Sequence, residues 1–553
     1  MQILRRLATA ALCASVFAAS TPASHADAYE GSPKLVIMLV FDQFRGDYLD
    51  RYRGDFHAKN GWNLFLRQGA HFTDCYYDYA NLITAAGHST IGTGAYTDGH
   101  GIGLNEWWEP GPDGKQHQVS SVEDPRYTLV GVPKGTPDSP GASPKNETAS
   151  TLGDELVAAT QGKARVYGVS FKDRAAILTS GHTQKAAFWT DHDSGDWITS
   201  TYWLQALPTW VTTFNDGKRQ AQARAEGGVA TGSFYEKLGR TPASVSYQLD
   251  FAKALIQNEH LGANPAGATD LLTLSISSTD ILGHAYGPDS PEERAMIDAA
   301  DGQLDSFFTW LDSTVGLQNV VVTFTGDHGV APSIQTAQSY GLPARSLKPA
   351  DLQNAIEQSL QQRFKPTGTV KYVLGYDQPW IQIDPAPFTA QGISEADAEN
   401  ATRDAMEQYL SAQALKEAAA KPTGSRQPDP VRTQFISTIS QMKAGLLPDT
   451  EYGRREMRSY TPRMGWGVHF NLGAYQYGGY ATGATHYSAN SYDRHVPLDM
   501  FGAGVQPGTY HGVVAPVDIA ATLASMLRIN RPSAAVGKVL TEAMKPDVTE
   551  PGK

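Results

Sequence analysis

Four short apolar runs, each stopped by polar or charged residues, set the strongest limit on what this chain can fold into. Leu35 to Phe41 runs into Asp42, and Ala164 to Phe171 runs into Lys172. Leu271 to Ile276 runs into Ser277, Ser278, Thr279 and Asp280, and Val320 to Phe324 runs into Gly326, Asp327 and His328. Runs this short and this apolar suit strands buried on both faces, because a strand with one wet face would alternate. Helical patterns lie between them. Thr148 to Thr160 carries Leu152, Leu156 and Ala159 at helical spacing. Ser290-Pro291-Glu292-Glu293 reads as a helix start, with Ser as the cap, Pro in the first turn and Glu293 closing a capping box. Ile297, Leu304, Phe308 and Leu311 continue that helix, and Ile519, Leu523 and Met526 mark a last one. Alternating strands and helices predict an α/β fold with an open, mostly parallel sheet flanked by helices. Ligands bind such sheets beyond the carboxyl ends of the strands, where the polar residues of this chain gather.

The length of 553 residues allows about three domains at roughly 100–200 residues each, or one sheet with insertions. Two regions break the alternation. Residues 106–145, with Trp107, Trp108 and many Pro and Gly, read as loop. Residues 335–470 are richer in Gln, Ala and charge and read as a second insertion, with helices at 351–364 and 394–412. The N-terminus has Arg5 and Arg6, an apolar run from Leu7 to about Ala19, and small residues up to Ala26 and Ala28. That pattern predicts a secretory signal peptide over 1–26 and a periplasmic or secreted product. Its removal takes away two arginines and no acid, moving the formal charge from −12 to −14. Such a charge argues against a nucleic-acid partner. No later stretch is apolar enough to insert in a membrane. Of the two cysteines, Cys13 leaves with the signal peptide and Cys75 remains, which excludes a disulfide scaffold and a Cys₄ zinc module. A metal site here must use His, Asp and Glu.

Acid and histidine residues cluster at the strand ends. Asp42 closes the first run; Asp280 and His284 form D-x-x-x-H; Asp327 and His328 are adjacent in T-G-D-H-G; His486 lies in G-A-T-H-Y. Imidazole and carboxylate are the ligands zinc takes when thiolate is absent. Asp280 and His284 face one ion if their turn is helical. Thr84, in T-A-A-G-H-S-T-I-G-T-G, falls at a predicted helix start, where free N–H groups favour a phosphate. His88 in the same segment reads as a packing or supporting residue, and so does His495.

The order of these motifs resembles the alkaline phosphatase superfamily, and within it the secreted bacterial alkaline phosphatases with a Thr nucleophile. The supporting strings are F-D-Q-F-R-G-D-Y-L from 41, T-A-A-G-H-S-T-I-G-T-G from 84, H-G-I-G-L-N from 100, S-F-K-D-R from 170, S-S-T-D-I-L-G-H from 277, T-G-D-H-G from 325 and G-A-T-H from 483. The resemblance implies an alkaline-phosphatase-like sheet and one catalytic domain over 27–553. It also implies two Zn²⁺, one among Asp42, Thr84, Asp327 and His328, the other held by Asp280, His284 and His486. Thr84 would be the nucleophile and would carry a phosphothreonine intermediate. Lys172 and Arg174 would mark a phosphate monoesterase, giving a dianion a point charge and a forked set of donors, and Asn105 would donate to a further oxygen. Small phosphate monoesters would be the substrates. The nearest alternative is a nucleotide pyrophosphatase or phosphodiesterase, which shares the metal motifs. An exported zinc- or phosphate-binding protein without catalysis is the alternative of another class. A sulfatase is excluded, because the Tyr76-Tyr77-Asp78-Tyr79 that follows Cys75 does not fit C/S-x-P-x-R.

Overall fold

Strand β1 (Leu35–Phe41) sends its side chains alternately into two hydrophobic layers. Leu35, Ile37, Leu39 and Phe41 join one cluster, and Val36, Met38 and Val40 join the other. All seven positions are buried, each large side chain contributing about 1.5–3 kcal/mol relative to exposure. In the computed structural model, which describes residues 32–133, 135, 139–419, 430–478 and 483–545, β1 lies inside an eleven-stranded sheet. Its main companions are β2 (Ala70–Tyr76), β3 (Val166–Ser170), β4 (Ala186–Thr190), β5 (Asp270–Ile276), β6 (Val320–Thr325) and β7 (His495–Gly502). The order β6-β1-β5-β3-β4 is parallel throughout. On the β6 side, β7 and then β2 continue the sheet antiparallel. The fold is thus α/β, with a parallel centre and antiparallel margins.

Register places the site. Leu35 pairs with Asp270 on one side and Val320 on the other, so β1, β5 and β6 end level. Asp42, Asp280 and Asp327 therefore leave the sheet at one edge. Four helices frame that edge: α1 (Thr84–Thr93), α2 (Asp173–Leu178), α3 (Ser278–Tyr286) and α4 (Pro291–Thr314). Helix α1 is buried along its whole length. Gly87 makes this possible, because a Cβ there would lie 2.1 Å from the carbonyl oxygen of Asp327.

The helix expected near residue 150 runs Leu152–Ala159, with a full Thr151/Asp154 capping box. At α4 only half of the expected box forms. The Ser290 hydroxyl accepts the Glu293 N–H at 3.1 Å, but the Glu293 carboxyl turns into the core and is buried. The loop expected over 106–145 is also corrected. Glu106–Pro110 and Gln116–Ser120 form a hairpin, and Glu123–Val130 and Pro140–Ala142 extend the edge of the main sheet. Most of its Pro and Gly fall in turns and at strand ends, and Pro125 sits where Glu123–Val130 breaks register with its partner. Within 335–470 a four-stranded antiparallel sheet packs with helices Pro349–Phe364 and Glu395–Ala419 around Leu352, Ile356, Leu360, Phe388, Met406 and Phe470. Among the described residues, those from Pro33 onward form one compact unit, and no helix is long and apolar enough to cross a membrane. The signal peptide expected over 1–26 lies outside the described residues.

Candidate active site

Each proposed histidine ligand is fixed through one ring nitrogen. His284 Nδ1 lies 2.9 Å from the Ala484 carbonyl oxygen, His328 Nδ1 3.0 Å from that of Gly329, and His486 Nδ1 2.6 Å from that of Leu82. A carbonyl only accepts, so Nδ1 carries the proton in all three rings. Nε2 is then the atom turned toward the carboxylates. His284 Nε2 is 3.2 Å and His486 Nε2 3.9 Å from Asp280 Oδ1, and His328 Nε2 is 3.3 Å from Asp327 Oδ2. Burial and the neighbouring imidazoles hold His486 well below the usual histidine range, and burial lowers His328 as well. Both rings are therefore in the neutral form that ligates a metal. At His284, burial is outweighed by Asp280 and the shift is upward.

Helix α3 brings Asp280 and His284 onto one face at i and i+4, as the spacing predicts. With His486 they form one set whose ligand atoms lie within 4.8 Å of one another. A second set by distance is Asp42, His88 and Asp327. His88 lies 3.5 Å from each carboxylate, Nε2 from Asp42 Oδ1 and Nδ1 from Asp327 Oδ2, but its shorter contacts run elsewhere. His88 Nδ1 donates to Thr84 O at 2.9 Å. Its Nε2 meets Ser275 Oγ at 2.9 Å, while that hydroxyl donates to Asp42 Oδ1 at 2.5 Å. With the serine proton spent on Asp42, Nε2 must also donate, and His88 has no lone pair to offer a metal. His328 does. Its Nε2 and Asp327 Oδ2, 3.3 Å apart, are buried without a hydrogen bond, and Asp42 Oδ2 is paired with the Lys172 ammonium at 2.9 Å. Buried polar atoms are rarely left so, and two carboxylate oxygens facing an imidazole nitrogen fit a divalent cation.

Lys172 joins the two sets. Its Nζ is 2.6 Å from Asp280 Oδ2 and 2.9 Å from Asp42 Oδ2. Burial would raise both carboxyls, but the lysine charge wins and holds each well below the carboxylate range. Burial raises Asp327. Lys172 Nζ also reaches Thr84 Oγ1 at 3.5 Å. Thr84 is the first residue of α1, as its segment predicts, and Asn105 Oδ1 accepts the next N–H, that of Ala85, at 2.9 Å. Arg174 stands beside them with its Nε unpartnered.

These groups meet at a cavity of about 550 Å³ lined by Thr84, Asn105, Lys172, Arg174, Asp280, His284 and His486. Asp42, Asp327 and His328 lie fully buried beneath it. Tyr235, Glu236, Arg240 and Tyr487 also line it. Sequence reading missed these four, since Tyr235 and Glu236 sit on a single π-turn, Phe234–Leu238, that carries no motif. Gln43, which touches both sets, was missed too. Trp107 packs away from this cavity, beside Trp380. His495 is structural, stacked on Tyr76 at 4.6 Å.

Residues 36–340 match the family described as type I phosphodiesterase / nucleotide pyrophosphatase. The chain is 31% identical to alkaline phosphatase PhoV of Synechococcus elongatus, covering 93% of both chains. It is 30% identical to alkaline phosphatase PafA of Elizabethkingia meningoseptica, covering 93% of this chain and 94% of that one. A crystal structure of PafA superposes with a TM-score of 0.79 at 29% identity, over 93% of this chain and 99% of that one. A second PafA structure is of a variant substituted at a threonine, an asparagine, a lysine and an arginine. The chain therefore belongs to the alkaline phosphatase superfamily, on the branch it shares with the type I phosphodiesterases and nucleotide pyrophosphatases, and it is an enzyme of the phosphoric monoester hydrolase class.

Proposed function

We propose that this chain is an exported, zinc-dependent alkaline phosphatase that hydrolyses small phosphate monoesters through a phosphothreonine on Thr84, with one catalytic domain spanning 27–553. The observation that carries the reading is the set of three imidazoles locked by Nδ1–carbonyl bonds with Nε2 turned to Asp280 and Asp327. Asp280, His284 and His486 would hold one zinc; Asp42, Asp327 and His328 would hold the other, beside Thr84. Zinc there would supply Lewis acidity to an attacking hydroxyl and to a leaving oxygen.

The chain's own groups do the rest. Thr84 Oγ1 attacks phosphorus, the ester P–O bond breaks, and the alcohol leaves with a proton. Water then cleaves the phosphothreonine, returning the hydroxyl and releasing phosphate. The start of α1 presents its N-terminal dipole to the phosphoryl group. Asn105 holds that helix start and lines the cavity. Lys172 and Arg174 offset the charge of a dianion, which carries one more non-bridging oxygen than a diester. Threonine, asparagine, lysine and arginine are also the residue types changed in the PafA variant.

The deciding measurement compares zinc-loaded enzyme on p-nitrophenyl phosphate and on its bis-ester. The monoester is expected to turn over faster. Faster cleavage of the bis-ester would replace this reading with the phosphodiesterase one.

A further inference from the structure

Gln43 follows Asp42 directly and is almost fully buried, with 2% exposure. Its backbone lies in the left-handed region, with φ at 60°. Glycine takes that conformation at least cost, whereas a residue with a Cβ is strained there. The strain brings two contacts that glycine would not give together. The Gln43 N–H donates to Asp327 Oδ1 at 2.8 Å, and its side-chain amide Nε2 donates to Asp280 Oδ1 at 2.9 Å. The same Nε2 is 3.4 Å from His284 Nε2. On the other side of the amide, a Cβ at Gly283 would lie 2.3 Å from Gln43 Oε1, so the glycine in D-x-x-G-H makes room for it.

Gln43 thus reaches both ligand sets, one through its main chain and one through its side chain. We infer that Gln43 is the positioning residue that sets Asp280 relative to Asp327, and so fixes how the two metal sets face each other. This rests on the zinc reading above. Asp280 has four carboxylate lone-pair directions to share among Lys172, the histidines and a cation. The amide occupies one on Oδ1 and restricts the rotation of the carboxyl. Without it, Lys172 and His284 alone would steer Asp280, and the carboxylate would turn more freely away from His486. Asp327 would keep its contact, because any residue but proline retains the N–H at position 43.

Removing the amide should weaken one metal set and not the other. Full-length zinc-loaded wild type, Gln43→Ala and Gly283→Ala would be titrated stepwise with a chelator, counting zinc per chain by atomic absorption. Both variants should release one zinc at roughly 10–100-fold lower chelator strength than wild type, the usual effect of removing a partner that orients a ligand. The other zinc should leave as in wild type. Gly283→Ala displaces the amide from the opposite side, so it carries the test if Gln43→Ala does not fold. Unchanged release of both zincs, or equal weakening of both, overturns the positioning role. A wild type that holds no zinc instead overturns the metal reading itself.

Discussion

A threonine hydroxyl attacks phosphorus only where its proton can be drawn away and the phosphoryl charge is met by fixed cations. Thr84 has one such cation beside it, Lys172 Nζ at 3.5 Å, whose charge Asp42 and Asp280 share. None of the histidine or carboxylate hydrogen bonds described above passes through its hydroxyl. Thr84→Ala should therefore lower kcat by at least roughly a thousandfold while zinc content stays at the wild-type level. Turnover near wild type would remove Thr84 from the chemistry, and loss of zinc would make it a structural ligand. Thr84 and Lys172 stand at a helix start and a strand end, positions that alone suit a cap and a solvated terminus, and the order of motifs along the chain made them legible as site residues. The i and i+4 spacing of Asp280 and His284 allowed a shared ion, but their pairing with His486 came from the family resemblance. The exclusion of His88 as a ligand was not legible, since it depends on where the Ser275 proton goes. Gln43 was not legible either. Its contacts join positions 43, 280 and 327 in space, through a backbone angle that glutamine rarely takes.

Parallel strands announce themselves because both faces are buried, which is why β1 appears in the sequence with the bounds it has in the fold. The 106–145 strands were hidden by their turns and by partners far away, such as Ser200 opposite Leu129. Antiparallel margins also carry groups that motif reading passes over. On β2, His71 lies opposite Asp499 of β7 in the register. Its Nδ1 is 2.6 Å from Asp499 and its Nε2 3.2 Å from Asp50. Burial would lower the His71 value, but the two carboxylates outweigh it and the shift is upward. A raised folded value means that His71 contributes stability fully below the ordinary value of about 6.5. The contribution is lost as pH rises through the folded value. Burial raises Asp499 as well, and this has the same sign. His71→Asn should cost roughly 1.5–3 kcal/mol between pH 5 and 6.5, the size of a hydrogen bond to a charged group. The cost should shrink by pH 9. A difference in thermal midpoint that stays constant across this range would show that His71 is not held protonated.

On the scale of the whole molecule, the ligand sets are assembled from residues 42 to 486 across at least three strand ends, and only the folded sheet brings them together. Any ion held there binds the folded state and not the unfolded chain, so it must stabilise the fold as well as serve the reaction. At a free zinc concentration a thousand times the dissociation constant, one site contributes about 4 kcal/mol. Ions bound there would also answer a problem of charge. The chain carries a net charge of −12, and its cavity would repel a dianionic ester if Lys172 and Arg174 stood alone, with Lys172 already neutralised by Asp42 and Asp280. A cation bound at each carboxylate set would release the lysine charge for the substrate. Treatment with EDTA should therefore abolish phosphatase activity and lower the thermal midpoint together, and Zn²⁺ should restore both in the same titration. Activity that survives complete removal of metal would end the metal reading. A midpoint that does not move while activity falls would mean that the ions sit at the surface of the site and not among the buried carboxylates.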